Sequence, residues 1–262
     1  MLTALVRPPT AALARCELTY LDREPIDATR AQRQHAAYVE CLRDLDVRIL
    51  ALAPEPELPD AVFVEDTAIV VDEVAVITRP GAASRRSEVT TVAEALRPYR
   101  TLRALTAPAT LDGGDVLEIG RAFYVGIAPG GRSNEEGVAQ LREHLSPYGY
   151  SVHAVPLDGC LHLKTAATYL GRGLLLANPA WLDGARFEGV EMLAVPHDEP
   201  YAANTLTIGE TTLLPANFPR TRALLERHGF SVRTLDTSEM QKAEAGVTCQ
   251  SIPFDSKEDA AR

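Results

Sequence analysis

The chain has 262 residues, of which 46% are hydrophobic and 24% charged, a composition typical of a soluble globular protein with a sizeable core. The formal net charge of −10 disfavours nucleic acid and anionic membranes as partners, because both repel an acidic surface. No run approaches the roughly 18 apolar residues that a membrane span needs, and the N-terminus lacks a signal-peptide pattern, so we expect no membrane association and a cytoplasmic location.

The predicted elements begin with a strand, TALVRPP, a long helix, ATRAQRQHAAYVECLRDL, and a second strand, VRILALAP. Residues 67–81 then predict a hairpin that turns at Asp72 and Glu73, followed by a helix, SEVTTVAEALRPY, and a strand, TLRALTAP. The signals are apolar residues at helical spacing and short strand-like runs bounded by turn residues. The same order of strand, strand, helix and strand recurs further along the chain.

Two clear copies of this unit begin at residues 117 and 206, with hairpins LEIGRAFYVG and LTIGETTLL that turn on a glycine. A tight hairpin favours glycine at such a turn because it needs a positive φ. In the first copy Ser133 and Glu136 have the spacing of a helix capping box. In the second copy Gly229 stands where a glycine ends a helix.

A weaker copy, TYLGRGLLLANP at 168–179, has a helix that is short or replaced. This gives about five units of roughly 40–50 residues, and a period of this size indicates a repeat architecture. Units that close into a ring would bury each helix against strands, so we predict an α/β propeller of ββαβ units forming one catalytic domain over residues 1–262. This propeller is favoured over a doubly wound sheet. No glycine-rich phosphate loop follows a strand, which disfavours nucleotide binding.

Polar clusters precede the first strand of several hairpins. They are FVEDT (63–67), LDGGDV (111–116), LHLKT (161–165) and VTCQS (247–251). In a ring these segments would converge near the axis, where residues distant in sequence can form one site.

The four cysteines form no CxxC pair, which disfavours a disulfide framework or a zinc ribbon. Cys249, with polar neighbours, is either a nucleophile or an inert thiol. Cys41 lies on an apolar helical stripe and is expected in the core, and Cys16 is incidental. Cys160, two residues before His162, is a rival nucleophile.

Other polar residues have both a catalytic and a structural interpretation. His162 could protonate a leaving amine or be a loop histidine bonded to backbone. Two adjacent carboxylates, Glu65 and Asp66, lie between apolar runs, so they would be costly to bury without a cation. Asp112 and Asp115 flank two glycines and could equally be turn residues.

Taken together, these segments resemble the dimethylarginine dimethylaminohydrolases, members of the guanidino-group-modifying superfamily with the pentein fold. The resemblance covers nearly the whole chain and is carried by RAQRQHAAYV, LPDAVFVEDTAIV, RPGAASRRSE, LDGGDVL, DGCLHLKT, AANTL and the near-terminal Cys249. It implies a fivefold pseudosymmetric α/β propeller. It also implies hydrolysis of Nω-methylated arginines to L-citrulline, with release of dimethylamine or methylamine.

The resemblance implies roles for individual residues. Cys249 would attack the central guanidinium carbon to form a covalent thiouronium, and His162, oriented by Asp112, would protonate the leaving amine and then activate water. The substrate contacts would comprise two carboxylates facing the guanidinium, two arginines on the α-carboxylate, and groups on the α-amino nitrogen. These are, in that order, Glu65 and Asp66, Arg85 and Arg132, and Asp60 with the backbone near Leu18.

This chemistry requires a small-molecule substrate and no cofactor. Metal is not expected either, because Cys249 and His162 are only two good zinc ligands, so zinc would inhibit. The oligomeric state is left open, with a homodimer as one alternative.

Two other functions remain as alternatives. Arginine deiminases share the cysteine, histidine and carboxylate set, but they typically carry Asp two residues after the histidine, where this chain has Lys164. They also tend to be longer, with an inserted helical bundle. The same fold occurs in a non-catalytic ribosome-binding factor, which is disfavoured by the combined presence of Cys249, His162, Asp112 and Asp66.

Overall fold

The computed structural model describes residues 1–183 and 186–256, and it contains five sheets of three strands each. The strands are β1 Leu2–Val6, β2 Arg48–Ala51, β3 Ala68–Val70, β4 Val74–Ile77, β5 Thr101–Ala104, β6 Val116–Ile119, β7 Ala122–Ile127, β8 Ser151–Pro156, β9 Ala167–Gly171, β10 Leu174–Ala177, β11 Glu191–Ala194, β12 Leu206–Ile208, β13 Thr211–Pro215, β14 Ser231–Leu235 and β15 Ser251–Asp255.

Every sheet has the same topology. An antiparallel hairpin, such as β3–β4, is followed by a helix or loop and then by a strand parallel to the second strand of the hairpin, such as β5. In the first sheet the hairpin partner of β1 comes from the other end of the chain, because β15 pairs with β1 in register Leu2 to Asp255. The two ends of the described chain therefore close the ring together.

The helices lie between the second and third strands of the units or just before a hairpin. They are α1 Ala28–Arg43, α2 Val89–Leu96, α3 Glu135–Leu145, α4 Leu163–Ala166, α5 Pro219–Arg227 and α6 Ser238–Gln241. Among the described residues between β10 and β11 there is no α-helix, as the weak fourth copy predicts. The fivefold α/β propeller predicted from the sequence is confirmed.

Neighbouring sheets meet through the first strands of their hairpins, since β6 contacts β9, β9 contacts β12, and β15 contacts β3. The larger apolar clusters are formed between a helix and the strands of adjacent units. One of them packs Leu141 and Leu145 of α3 against Val125 of β7 and Val76 of β4. The core is therefore divided among the units and surrounds a central axis.

Two local predictions have different outcomes. Gly120 and Gly209 turn their hairpins with φ of +62° and +57°, as predicted. The capping box is wrong, because α3 is capped by Asn134, whose side chain accepts from the Gly137 N–H. Ser133 instead donates its hydroxyl proton to Asp115 at 2.6 Å.

Within residues 1–183 and 186–256, no helix is both long enough and apolar enough to cross a membrane.

Candidate active site

Four short helical turns converge at one end of the axis, each directly before the first strand of a hairpin. They are Val64–Thr67, Gly113–Asp115, α4, and Thr248–Gln250. The first of them contacts the second and the fourth, and the second contacts α4. These are the four polar segments that the sequence places near the axis.

A cleft lies beside these turns and is lined by Asp66, His162 and Cys249. Six of the nine residues predicted for the site line it: Asp60, Asp66, Arg85, Arg132, His162 and Cys249. The other three lie elsewhere, since Asp112 is behind His162, Leu18 packs in the apolar cluster that contains Cys249, and Glu65 lines a different cavity.

Cys249 is in its neutral thiol form in this environment. It is partly buried beside apolar residues, and its Sγ accepts a hydrogen bond from the Gly246 N–H at 3.4 Å. Burial and the nearby carboxylates of Glu65 and Asp66 raise the pKa of Cys249 to about 12. A thiolate would therefore form here only if a positive charge entered the cleft.

The rival thiol, Cys160, lies outside the cleft. Its side chain is buried, donates toward the backbone oxygen of His162 at 3.5 Å, and lines a neighbouring apolar cavity. Burial and the charges of Asp115 and Asp158 raise the pKa of Cys160 to about 12. Of the two thiols, only Cys249 lines the cleft together with the imidazole.

His162 is the residue that precedes α4, and its ring is buried among carboxylates. Its Nε2 lies 3.2 Å from Asp112 Oδ2, and its Nδ1 lies 3.9 Å from Asp66 Oδ1. Burial alone would lower the pKa of His162, but Asp66, Asp115 and Asp112 outweigh it and raise that pKa to about 9. The ring is therefore an imidazolium at neutral pH and can donate a proton.

Asp112 contacts the His162 ring through its Oδ2 atom at 3.2 Å. The carboxylate is fully buried, and its other oxygen, Oδ1, accepts from the Gly81 N–H at 2.8 Å. This second hydrogen bond fixes the carboxylate and hence the ring that it contacts.

Asp66 is a buried carboxylate that lines the cleft together with Cys249 and His162. Its Oδ2 accepts from Arg85 at 2.5 Å, and its Oδ1 accepts from the Gly114 N–H at 2.9 Å. Burial would raise the pKa of Asp66, but the charges of His162 and Arg85 lower it to about 2. Asp66 therefore stays ionised and offers a negative charge to a cation in the cleft.

Arg85 is buried and held on two sides. Besides Asp66, it donates to Glu88 through Nε at 3.2 Å and Nη2 at 2.9 Å, and to the Phe63 carbonyl at 3.1 Å. Glu88 thus fixes the guanidinium whose edge lines the cleft. Its predicted contact with a substrate carboxylate stays a prediction.

Glu65 lies one residue before Asp66 but faces away from the cleft. Its Oε1 accepts from Lys164 at 2.8 Å, and its Oε2 accepts from the Thr248 hydroxyl at 2.7 Å. The predicted contact between Glu65 and a guanidinium stays a prediction, and both of its oxygens already have partners.

The remaining predicted residues contact the loop that contains Leu18. The carboxylate of Asp60 accepts from the Glu17 N–H at 3.1 and 3.2 Å, next to Leu18. Arg132 donates to the Thr19 hydroxyl at 3.0 Å. Asp60, Arg132 and the backbone at Leu18 are therefore close enough to act on the same part of a ligand.

Asp66, Asp112 and His162 are the one set of three potential metal ligands among the described residues, with ligand atoms within 4.8 Å of one another. A metal ion there would have to displace the proton of His162 and compete with Arg85 for Asp66. The charge balance of the set is already met by protein cations.

Sequence reasoning missed three residues that hold the site together. Lys164 neutralises Glu65, Glu88 fixes Arg85, and Asp115 accepts both the Ser133 hydroxyl and the Leu163 N–H that begins α4. The second aspartate of LDGGD was a visible signal, but its alternative as a turn residue was equally consistent with the sequence.

Comparisons with known proteins agree with this geometry. A sequence model of the family described as N,N dimethylarginine dimethylhydrolase, eukaryotic, matches residues 15–177. A Streptomyces coelicolor protein named N(G),N(G)-dimethylarginine dimethylaminohydrolase is 42% identical over 250 residues, which is 95% of each chain. The chain belongs to the dimethylarginine dimethylaminohydrolase family.

Solved structures of that family superpose closely on this chain. A Pseudomonas aeruginosa dimethylarginine dimethylaminohydrolase, a cysteine-to-serine mutant complexed with citrulline, has a TM-score of 0.89 at 36% identity, covering 96% of this chain and 98% of its own. An adduct of a histidine-to-glycine variant with S-methyl-L-thiocitrulline has a TM-score of 0.91 at 36% identity, covering 97% and 100%. The dimethylarginine dimethylaminohydrolase fold therefore extends over nearly the whole described chain.

Proposed function

We propose that this protein hydrolyses Nω-methylated arginines to L-citrulline and methylamine or dimethylamine. The observation that carries the proposal is one cleft lined by a neutral thiol, an imidazolium and an ionised carboxylate, from Cys249, His162 and Asp66. Relatives that are complexed with citrulline or form an adduct with a thiocitrulline support the same chemistry.

The substrate itself supplies the charge that the thiol lacks. A guanidinium about 4 Å from the sulfur, at an effective dielectric constant of about 20, contributes about 4 kcal/mol, or about three pKa units. This attraction would bring the pKa of Cys249 from about 12 toward that of His162, about 9. The nucleophile therefore forms only where a cation is present, which protects the thiol in the free enzyme.

The reaction then proceeds in two halves. Once the substrate is bound, the Cys249 thiol loses its proton to solvent, and the thiolate forms a bond to the guanidinium carbon. The bond from that carbon to the methylated nitrogen breaks as His162 gives this nitrogen a proton. Neutral His162 next takes a proton from water, and the hydroxide adds to the thiouronium carbon. The carbon–sulfur bond then breaks as the added hydroxyl loses its proton, which releases citrulline and returns a proton to the sulfur. Asp112 stabilises the protonated ring in both halves.

The amino-acid end of the substrate would bind near the loop that carries Leu18. Arg85 and Arg132 are proposed to hold the α-carboxylate, because an arginine fork matches a carboxylate. Asp60 and the backbone at Leu18 are proposed to hold the α-amino group. The positions of Asp60, Arg85 and Arg132 along one side of the cleft support this orientation.

The Glu65–Lys164 pair favours methylated arginine over arginine. Unsubstituted guanidinium has donors on both terminal nitrogens and is best matched by two free carboxylates, whereas N-methyl groups reduce or remove those donors. Here Lys164 pairs with Glu65 outside the cleft, so that of these two adjacent carboxylates only Asp66, which is held by Arg85, lines the cleft. Arginine deimination is therefore the second candidate and not the first.

The domain organisation, cellular location and oligomeric state are further proposals. We propose that residues 1–262 act as one catalytic domain, in line with the closure of the ring by β1 and β15. The four cysteines are free, which supports a reducing cytoplasmic compartment. Association into a homodimer is open to measurement by sedimentation.

The purified protein should be incubated separately with asymmetric dimethylarginine and with arginine, and citrulline should be assayed. We expect citrulline from the methylated substrate and little from arginine, with Cys160→Ser as a matched control that remains active. Citrulline from arginine alone would change the assignment to deiminase. Absence of citrulline from both would favour a non-catalytic protein.

A further inference from the structure

The segment of residues 17–22 is a loop without helix or strand between Arg15 and α1, and its first residue, Glu17, lines the cleft. Three consecutive backbone N–H groups in this loop point at one carboxylate, that of Glu244. Glu244 Oε2 accepts from Thr19 at 2.9 Å, and Oε1 accepts from Tyr20 and Leu21 at 2.5 Å each. Charge-assisted bonds of this kind are roughly twice as strong as neutral ones.

The backbone of Glu244 is also unusual. Its φ is +58°, in the left-handed region that a residue with a Cβ rarely adopts. Such a conformation costs free energy, and it is retained where surrounding contacts hold it in place. The three hydrogen bonds to the loop supply contacts of that kind.

Glu244 connects the loop to the nucleophile segment. It lies five residues before Cys249, and it lines the cleft together with that cysteine. On the loop side, Leu18 packs in the apolar cluster to which Cys249 and Ala245 also belong. Residues 244–249 therefore contact the 17–22 loop and also carry the reactive sulfur.

The other hydrogen bonds of the loop involve side chains already assigned to substrate recognition or exposed groups. They are the bond from the Glu17 N–H to Asp60, the bond from Arg132 to the Thr19 hydroxyl, and the bond from the Ser84 hydroxyl to Glu17. A ligand carboxylate or amine would compete for Arg132 and Asp60. Glu244 accepts from three donors of the loop, more than any of these other contacts provides.

We propose that Glu244 is a positioning residue that fastens the 17–22 loop over the cleft and so sets the affinity for the amino-acid end of the substrate. The proposal rests on the proposed function, because it concerns the loop that carries the Leu18 backbone. Glu244 acts through the loop and makes no contact with the reacting carbon. Losing it should therefore weaken substrate binding more than the chemical steps.

Loop fastening can be measured without turnover by amide hydrogen exchange of a peptide covering residues 17–23. We expect Glu244→Ala to speed exchange at Thr19, Tyr20 and Leu21 by about tenfold or more, because three hydrogen bonds to a charged acceptor are lost. Glu244→Gln, which keeps the shape and one oxygen acceptor, should give an intermediate rate. Exchange in β4 reports whether each variant remains folded.

The matched control is Glu226→Ala, which removes an exposed glutamate paired only with Arg222 on α5. We expect this variant to exchange like the unmodified protein in the 17–23 peptide. Equal exchange rates in Glu244→Ala and the control would overturn the proposal. This outcome does not depend on whether the enzyme turns over any substrate.

Kinetics then separate loop fastening from a direct catalytic role. With asymmetric dimethylarginine we expect Glu244→Ala to raise KM by about tenfold while kcat changes by less than about threefold, the pattern of lost binding common to ground and transition states. Partial recovery in Glu244→Gln is expected. A fall in kcat at unchanged KM would contradict the proposal and place Glu244 in control of the Cys249 segment.

Discussion

Glu65 and Asp66 are adjacent carboxylates in one turn, yet they lie in two different regions of the molecule. Asp66 faces the cleft with Cys249, between Arg85 and His162. Glu65 lines a separate cavity and lies between Lys164 and Thr248. Both are buried, so exposure does not distinguish them.

The charged groups around each carboxylate distinguish the two residues. Burial raises the pKa of Glu65, and Lys164 offsets only part of that shift. The pKa of Asp66 is lowered to about 2, because His162 and Arg85 together outweigh burial. Two residues with the same chemistry thus lie in different surroundings, Glu65 beside Lys164 and Asp66 beside Arg85 and His162, because their neighbours are distant in the sequence.

The largest effect on activity is expected when the negative charge of Asp66, which faces the cleft, is removed. Asp66→Asn keeps the shape of the side chain but takes away the anion that faces the cation. Truncating one partner of a buried charge pair costs about 2–5 kcal/mol, so we expect kcat/KM to fall by about thirtyfold to several thousandfold. Steady-state citrulline formation measures this change.

A stability measurement separates catalysis from folding in the same variant. Arg85 keeps Glu88 as a partner, so Asp66→Asn should retain a cooperative thermal unfolding transition. A variant that unfolds cooperatively near the original temperature and keeps full activity would show that Asp66 is not the anion that the substrate needs.

A smaller, pH-dependent effect is expected at Asp112. Its negative charge raises the pKa of His162, so Asp112→Asn should lower that pKa from about 9. The proton donor would then be lost at lower pH, and the alkaline limb of the kcat/KM profile should move down by about one to two pH units, as expected for loss of a hydrogen bond to a charged group.

Asp198→Asn is a matched control, because Asp198 is an exposed aspartate paired with Arg220 far from the ring of His162. Its profile should coincide with that of the unmodified protein. If Asp112→Asn left the alkaline limb in place, His162 would not be the group that the limb reports.

The smallest effect on activity is expected when the pair formed by Glu65 and Lys164 is replaced. Lys164→Met alone leaves Glu65 buried without its cation, and breaking a buried pair costs about 3–5 kcal/mol of stability. Adding Glu65→Gln removes the unpaired charge, so the double variant should recover most of the free energy of unfolding. Its activity should stay within about threefold, since Glu65 does not line the cleft.

Denaturant titrations of the two single variants and the double variant complete this cycle. If Glu65→Gln lost as much activity as Asp66→Asn, the two carboxylates would not have the different roles proposed for them. It would also restore the expectation that both carboxylates face the guanidinium.

Much of the fold follows from local pattern. The five units are visible because each hairpin, helix and third strand has its own signal, such as the glycine turn at Gly120 or the helix end at Gly229, whose φ is +79°. The convergence of four polar segments also follows, because equivalent positions in a ring must face the axis. The roles assigned to Cys249, His162 and Asp112 came from the resemblance to a family.

What could not be predicted depends on side chains that meet across units. Ser133 has the spacing of a helix cap, but the buried carboxylate of Asp115 offers it a stronger partner. Lys164 pairs with Glu65 outside the cleft, and no residue near either one in the sequence indicates this pair. Glu244 gave no signal, because its role depends on a loop more than 220 residues away.

The most direct test of the account is the identity of the sulfur that bonds to carbon. The protein should be mixed with asymmetric dimethylarginine, quenched in acid during turnover, and digested for mass spectrometry. We predict that the peptide containing Cys249 gains the mass of the substrate minus dimethylamine, and that Cys249→Ser gains nothing and makes no citrulline. Turnover with the adduct on Cys160, or with citrulline still formed by Cys249→Ser, would contradict the account.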